Sequence, residues 1–152
     1  MDRSATNPPG ASEKLRQKLA AMGENLGSRE AAHRAALEQA RKCIDALRDL
    51  VADALDSFHA STEAAGAPHL RIDLSEVRLD DKHVRALEFE LRRGRYLGII
   101  TVKSRGDVTL VGPFRAGKNE GPCRTFPADA ESEIHDALGQ FLERFLEEAA
   151  TP

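Results

Sequence analysis

A chain of 152 residues is of single-domain size, and its 41% hydrophobic and 31% charged content excludes wholesale disorder. No run approaches the roughly 18–20 apolar residues that cross a bilayer, and the first residues hold no apolar signal-peptide core, so no membrane association and a cytoplasmic location are expected. The net charge of −3 hides an asymmetry, because residues 67–127 hold twelve basic and eight acidic side chains while residues 128–152 hold one and seven. Two cysteines give neither a disulfide framework nor a metal spacing, and the excess of Arg over Lys with abundant Ala suggests a bacterial source.

Residues 1–11 include Asn7, Pro8, Pro9 and Gly10, lack any periodicity and are expected to form a disordered tail. One α+β domain is expected over 12–152, with a helical part at 12–66, an antiparallel sheet at 69–127 and a C-terminal helix at 129–149. Ser12 is placed to cap a short helix with Leu15, Leu19, Met22 and Leu26 on one face, closed near Gly27. Ser28 then starts a long helix whose apolar positions step by three and four. Within it Leu37, Ile44, Leu47, Val51 and Phe58 form a seam expected to meet a second copy of the helix in a homodimer.

After Gly66 and Pro68 the period falls to two. Leu70, Ile72 and Leu74, continued by Val77 and Leu79, predict a strand before a turn at Asp80, Asp81 and Lys82. Leu87, Phe89 and Leu91 alternate with charged residues and predict a strand with one wet face. The run 96–102 is apolar on both sides and belongs in the middle of the sheet. Residues 108–111 and 123–126 complete a meander of four to five strands, with the loop 112–122 between the last two. Pro127 suits an edge. Ile134, Leu138, Phe141, Leu142, Phe145 and Leu146 give the last helix its apolar face, with Asp129 as cap.

The segment from Gly112 to Lys118 fits the phosphate loop's G-x-x-x-x-G-K, but Asn119 stands where a Ser or Thr must hold magnesium. Gly121 and Pro122 also bar the helix such a loop requires. The five histidines share no i, i+4 spacing, and no serine sits in a nucleophile-elbow pattern. No catalytic residue, metal or cofactor is therefore expected, and the chain is not expected to be an enzyme.

A meander puts alternate connections at the same end of the sheet. That brings Arg92, Arg93 and Arg95 near Arg115, Gly117, Lys118 and Arg124, with His69 and Arg71 at the start of the first strand. These residues are the candidate surface for an anion or a partner. Too few aromatic residues accompany them to favour nucleic acid. The order helix, meander, helix broadly resembles secretion chaperones and RWD-like interaction domains, an analogy of architecture alone. It implies a chaperone-like adaptor with a protein partner, dimerising through its long helix. The alternative is an anion-binding regulatory domain built on the Arg- and Gly-rich sheet end.

Overall fold

The computed structural model describes residues 9–80, 85–117 and 121–150. In chain order these form helix α1 (Pro9–Ala64), strands β1 (Asp73–Leu74), β2 (Arg78–Asp80), β3 (Ala86–Arg93), β4 (Tyr96–Lys103), β5 (Asp107–Arg115) and β6 (Cys123–Pro127), and helix α2 (Glu131–Ala150). The class is α+β, and no described helix is long and apolar enough to cross a membrane. The chain divides between Ala35 and Ala36 into two units.

Where two helices are expected on either side of Gly27, α1 runs through without a break. The reason is a balance of propensities: one internal glycine costs only about 1 kcal/mol relative to alanine, and the flanking Ala, Leu, Glu and Arg residues favour helix on both sides. Ser12 and Ser28 thus lie inside the helix rather than at caps. Pro9 occupies the first helical position, where its fixed φ suits the helix and its missing N–H is no loss. Residues 9–11 of the expected tail are therefore helical, and residues 1–8 lie outside the described residues. The helix closes where the Ala67 amide reaches back to the Thr62 carbonyl at 2.8 Å.

The strands form one antiparallel sheet in the order β1-β3-β4-β5-β6, with β2 pairing β3 beside β1. The two-sided apolar run is indeed central, because β4 lies between β3 and β5. The first expected strand is interrupted at residues 75–77. Ser75 fills the gap: its amide donates to the Glu90 carbonyl at 2.9 Å, while its Oγ accepts the Glu90 amide at 2.8 Å. Arg48 of α1 donates to the Ser75 carbonyl at 2.8 Å, which fixes this kink against the helix. Of the turn expected at 80–82, residues 81 and 82 lie outside the described residues.

Strand β5 is longer than its apolar run predicts and continues through Gly112 and Pro113 to Arg115. Ile99 pairs with Val111, and Leu97 pairs with Phe114. Gly112 and Pro113 thus stand together opposite Gly98, which is a β-bulge. Gly112 has φ of 111°, and an added Cβ would lie 2.8 Å from the Leu97 carbonyl oxygen. Only glycine fits there.

The core lies on one face of the sheet. Leu87, Phe89 and Leu91 of β3, Ile100 and Val102 of β4, and Val108 and Leu110 of β5 pack with α2 residues Ile134, Leu138, Phe141 and Phe145. Ile44, Leu47 and Val51 join the same core, and Leu37 and Phe58 pack against it. The seam expected to face a second copy is thus taken up within the chain. Its length explains this: residues 37–58 span roughly 32 Å at 1.5 Å per residue, close to the roughly 26–30 Å of the eight- and nine-residue strands. His59 ties the helix end down as well, its Nε2 accepting the Ile72 amide at 3.0 Å.

The opposite face carries Glu88, Glu90, Thr101, Thr109 and Thr125. Arg78 binds Glu88 at 2.9 Å and Glu90 at 3.1 Å, and Arg92 reaches Glu90 at 3.6 Å. The Glu90 hydrogen bond is the main reason that Arg78 is raised above its ordinary pKa.

Candidate functional site

One end of the sheet opens into a groove of about 500 Å³. Its walls are His69 and Arg71 from the α1–β1 connection, Asp73 of β1, Arg93 to Tyr96 from the β3–β4 hairpin, Arg115 at the end of β5, and Ala149 of α2. The meander argument predicts this meeting of chain ends, and the register gives it: Tyr96 pairs with Arg115, and the Ala116 amide donates to the Arg95 carbonyl at 2.6 Å.

The four arginines have different attachments. Arg93 donates to the carbonyl of Ala149. Helix α2 has no basic residue in its last turn, so Arg93 supplies from β3 the positive charge that a helix C-terminus favours. Arg71 lies 3.7 Å from Glu63, an exposed pair worth little. Arg115 stands over the Tyr96 ring at 5.7 Å and within 3.5 Å of its hydroxyl. That contact orients the guanidinium without neutralising it. Among the described residues neither Arg95 nor Arg115 forms an ion pair, and Asp73 is the one carboxylate in the groove lining.

Of the nine residues expected at this surface, His69, Arg71, Arg93, Arg95 and Arg115 line the groove. Gly117 follows in the adjoining turn, and Lys118 lies outside the described residues. Arg92 belongs elsewhere, because consecutive strand residues point to opposite faces and the neighbour of Arg93 must therefore join Glu90 on the open face. Arg124 also departs from the expected cluster. It pairs with Leu110, well inward of Arg115, stacks 5.0 Å from Phe126 and donates to Gln140 of α2 at 3.1 Å. There it borders a separate groove of about 140 Å³ beside Phe141 and Arg144. Tyr96 is a groove side chain that charge counting passes over, although its place opposite Arg115 follows from the hairpin register.

The phosphate-loop reading ends with the fold. Residues Gly112–Arg115 are strand, residues 116 and 117 form a turn, and residues 121 and 122 lead into β6 rather than into a helix. Among the described residues no group of His, Cys, Asp and Glu has the arrangement of a metal site.

A third groove, about 170 Å³, runs between α1 and the start of α2 and is lined by Cys43, Leu47, Leu50 and Ile134. Burial pushes the Cys43 thiol above its ordinary pKa, whereas Cys123 is exposed on β6. Less thiolate and less access both slow Cys43. Iodoacetamide at neutral pH is expected to label Cys123 well before Cys43, and raising the pH should narrow the gap. Peptide mapping that finds equal rates at neutral pH would contradict the burial of Cys43.

No protein-family model, curated protein or solved structure matches this chain, so the chemistry of the groove stands on its geometry.

Proposed function

We propose that the chain is a binding module rather than an enzyme and that the sheet-end groove takes a phosphate group as a regulatory ligand. The observation that carries this reading is the convergence of Arg71, Arg95 and Arg115 on one groove in which Arg95 and Arg115 have no carboxylate partner among the described residues. Guanidinium groups bind phosphate oxygens through paired, charge-assisted hydrogen bonds, which gives such a group geometric preference as well as attraction. The Tyr96 hydroxyl, already near Arg115, adds a neutral donor at the same wall. His69 is a second ring-bearing donor in the lining.

Titration calorimetry with pyrophosphate at low ionic strength tests the proposal. Saturable binding is expected, weakening as salt is added. Arg95→Ala combined with Arg115→Ala should reduce the affinity at least about tenfold, the equivalent of roughly 1.4 kcal/mol. The melting temperature should barely change, because exposed charges contribute little to stability. Absence of saturable binding, or equal binding by the double variant, would overturn the reading.

A further inference from the structure

Strand β6 is a sheet edge with an open row of backbone groups. The Gly112 amide donates to the Pro122 carbonyl and the Ala128 amide to the Gly106 carbonyl, each at 2.7 Å, which sets the phase of the β5–β6 ladder. With Leu110 opposite Arg124 and Val108 opposite Phe126, residues 122, 124, 126 and 128 direct their main-chain polar groups at β5. Cys123 and Thr125 therefore direct theirs outward, where among the described residues no strand lies beyond them. Residues 123–125 are exposed, and Pro127, without an N–H, ends the row. The opposite edge offers no comparable row, since β1 and β2 are two and three residues long and Ser75 interrupts them. Beside β6 lies the groove of about 140 Å³, with buried Leu110, Ala137 and Phe141 as its floor and exposed Arg124, Gln140 and Arg144 as its rim. It has room for one apolar side chain rather than for a whole small molecule, whose pockets run to roughly 300–1,000 Å³. Arg144 is paired with Glu148 at 3.4 Å, whereas Arg124 has the neutral Gln140 as its polar partner and keeps its charge for another group.

We propose that β6 takes an extended peptide segment of a partner protein as an added antiparallel strand, with a carboxylate residue opposite Arg124 and an apolar residue two positions on, opposite Pro122. Strand addition draws affinity from main-chain hydrogen bonds and specificity from pockets that receive alternate side chains, and both lie side by side here. Residues two apart on the added strand share a face. The first meets the Arg124 guanidinium on the helix side, because Arg124 pairs with buried Leu110. The second approaches the groove past Gly112, the partner of Pro122, where no side chain stands in the way. A second copy of β6 fits this edge less well. Centred on Arg124, it sets two guanidinium groups directly opposite each other, which is destabilising. Centred on Thr125, it sets Cys123 against Pro127, which returns no N–H. The edge is separate from the sheet-end groove, and this inference does not rest on the phosphate reading.

Amide exchange of the full chain, followed by NMR, is the test, with the acetylated and amidated heptapeptide Thr-Val-Glu-Val-Leu-Val-Thr as probe. Without peptide the outward Cys123 and Thr125 amides should exchange faster than the inward Arg124 and Phe126 amides, and saturating peptide should slow them at least about tenfold. Methylating the backbone nitrogens of the first two valines, which face Cys123 and Thr125, should abolish the effect. Arg124→Glu should weaken binding at least about tenfold, and a peptide with Lys in place of Glu should restore it, which separates lost charge from lost fold. No slowing at Cys123 and Thr125 at millimolar peptide, or equal binding by the methylated peptide, overturns the proposal. So does protection of both amides in the peptide-free chain that disappears on dilution, since β6 would then pair with a second copy.

Discussion

Phe145→Ala is expected to lower the stability of the sheet-and-helix unit by about 3–5 kcal/mol, the usual cost of emptying a fully buried aromatic site. The site cannot collapse easily. Phe145 and Phe141 of α2 rest on β4 where Gly98 removes the side chain between helix and sheet. A Cβ at Gly98 would lie 2.8 Å from the Phe141 ring and 3.3 Å from the Phe145 ring. Two rings seated on bare backbone give close helix–sheet docking, and removing one leaves a void lined by strand backbone. The thermal midpoint should fall by roughly 10–20 °C. Gly98→Val should destabilise from the opposite direction, by overpacking the same contact. If Phe145→Ala melted within about two degrees of the parent, the docking of α2 on β4 would be refuted.

Gly112→Val is expected to cost about 3 kcal/mol or more, because a β-branched residue is forced to a φ of 111° and its Cβ meets the Leu97 carbonyl oxygen. Backbone cannot swing aside as a flexible side chain can. The same substitution should weaken pyrophosphate binding, since Gly112 lies three residues before Arg115 on the strand that delivers it to the groove. Gly117→Ala is the control. Gly117 also has a positive φ, of 90°, but nothing lies within 4 Å of an added Cβ, so it should lose only about 1 kcal/mol. Urea denaturation of the two variants decides the matter. Equal losses would mean that the approach to Leu97 is not as close as described.

Much of the fold is legible in the pattern of apolar residues. Leu87, Phe89 and Leu91 locate β3, and the doubly apolar run locates β4 at the centre, because alternation records directly which faces are buried. The same alternation is silent where a side chain replaces a backbone partner, so the Ser75 interruption between β1 and β2 is invisible in it. Gly27 misleads because a glycine permits a helix end without imposing one. At the groove, topology alone brings Arg95 to Arg115. The inclusion of Arg92 fails because proximity in sequence is not proximity across a pleat. The burial of Ile44, Leu47 and Val51 within the chain is not encoded in their spacing, since a heptad seam serves a sheet as readily as a second helix.

The bulge opposite Gly98 also sets the sidedness of everything beyond it on β5. In an uninterrupted strand, Leu110 and Arg115 are an odd number of residues apart and would project to opposite sides of the sheet. The extra residue reverses that parity, so Arg115 emerges beside Tyr96 on the side the helices occupy. The chemistry of the groove is thus written partly in strand length rather than in residue type. A deletion of one residue between Val111 and Phe114 would keep every arginine in the sequence and still carry the guanidinium of Arg115 through to the wet side of the sheet. Comparison of related chains by residue identity alone would miss such a change, whereas an alignment gap at this position would reveal it.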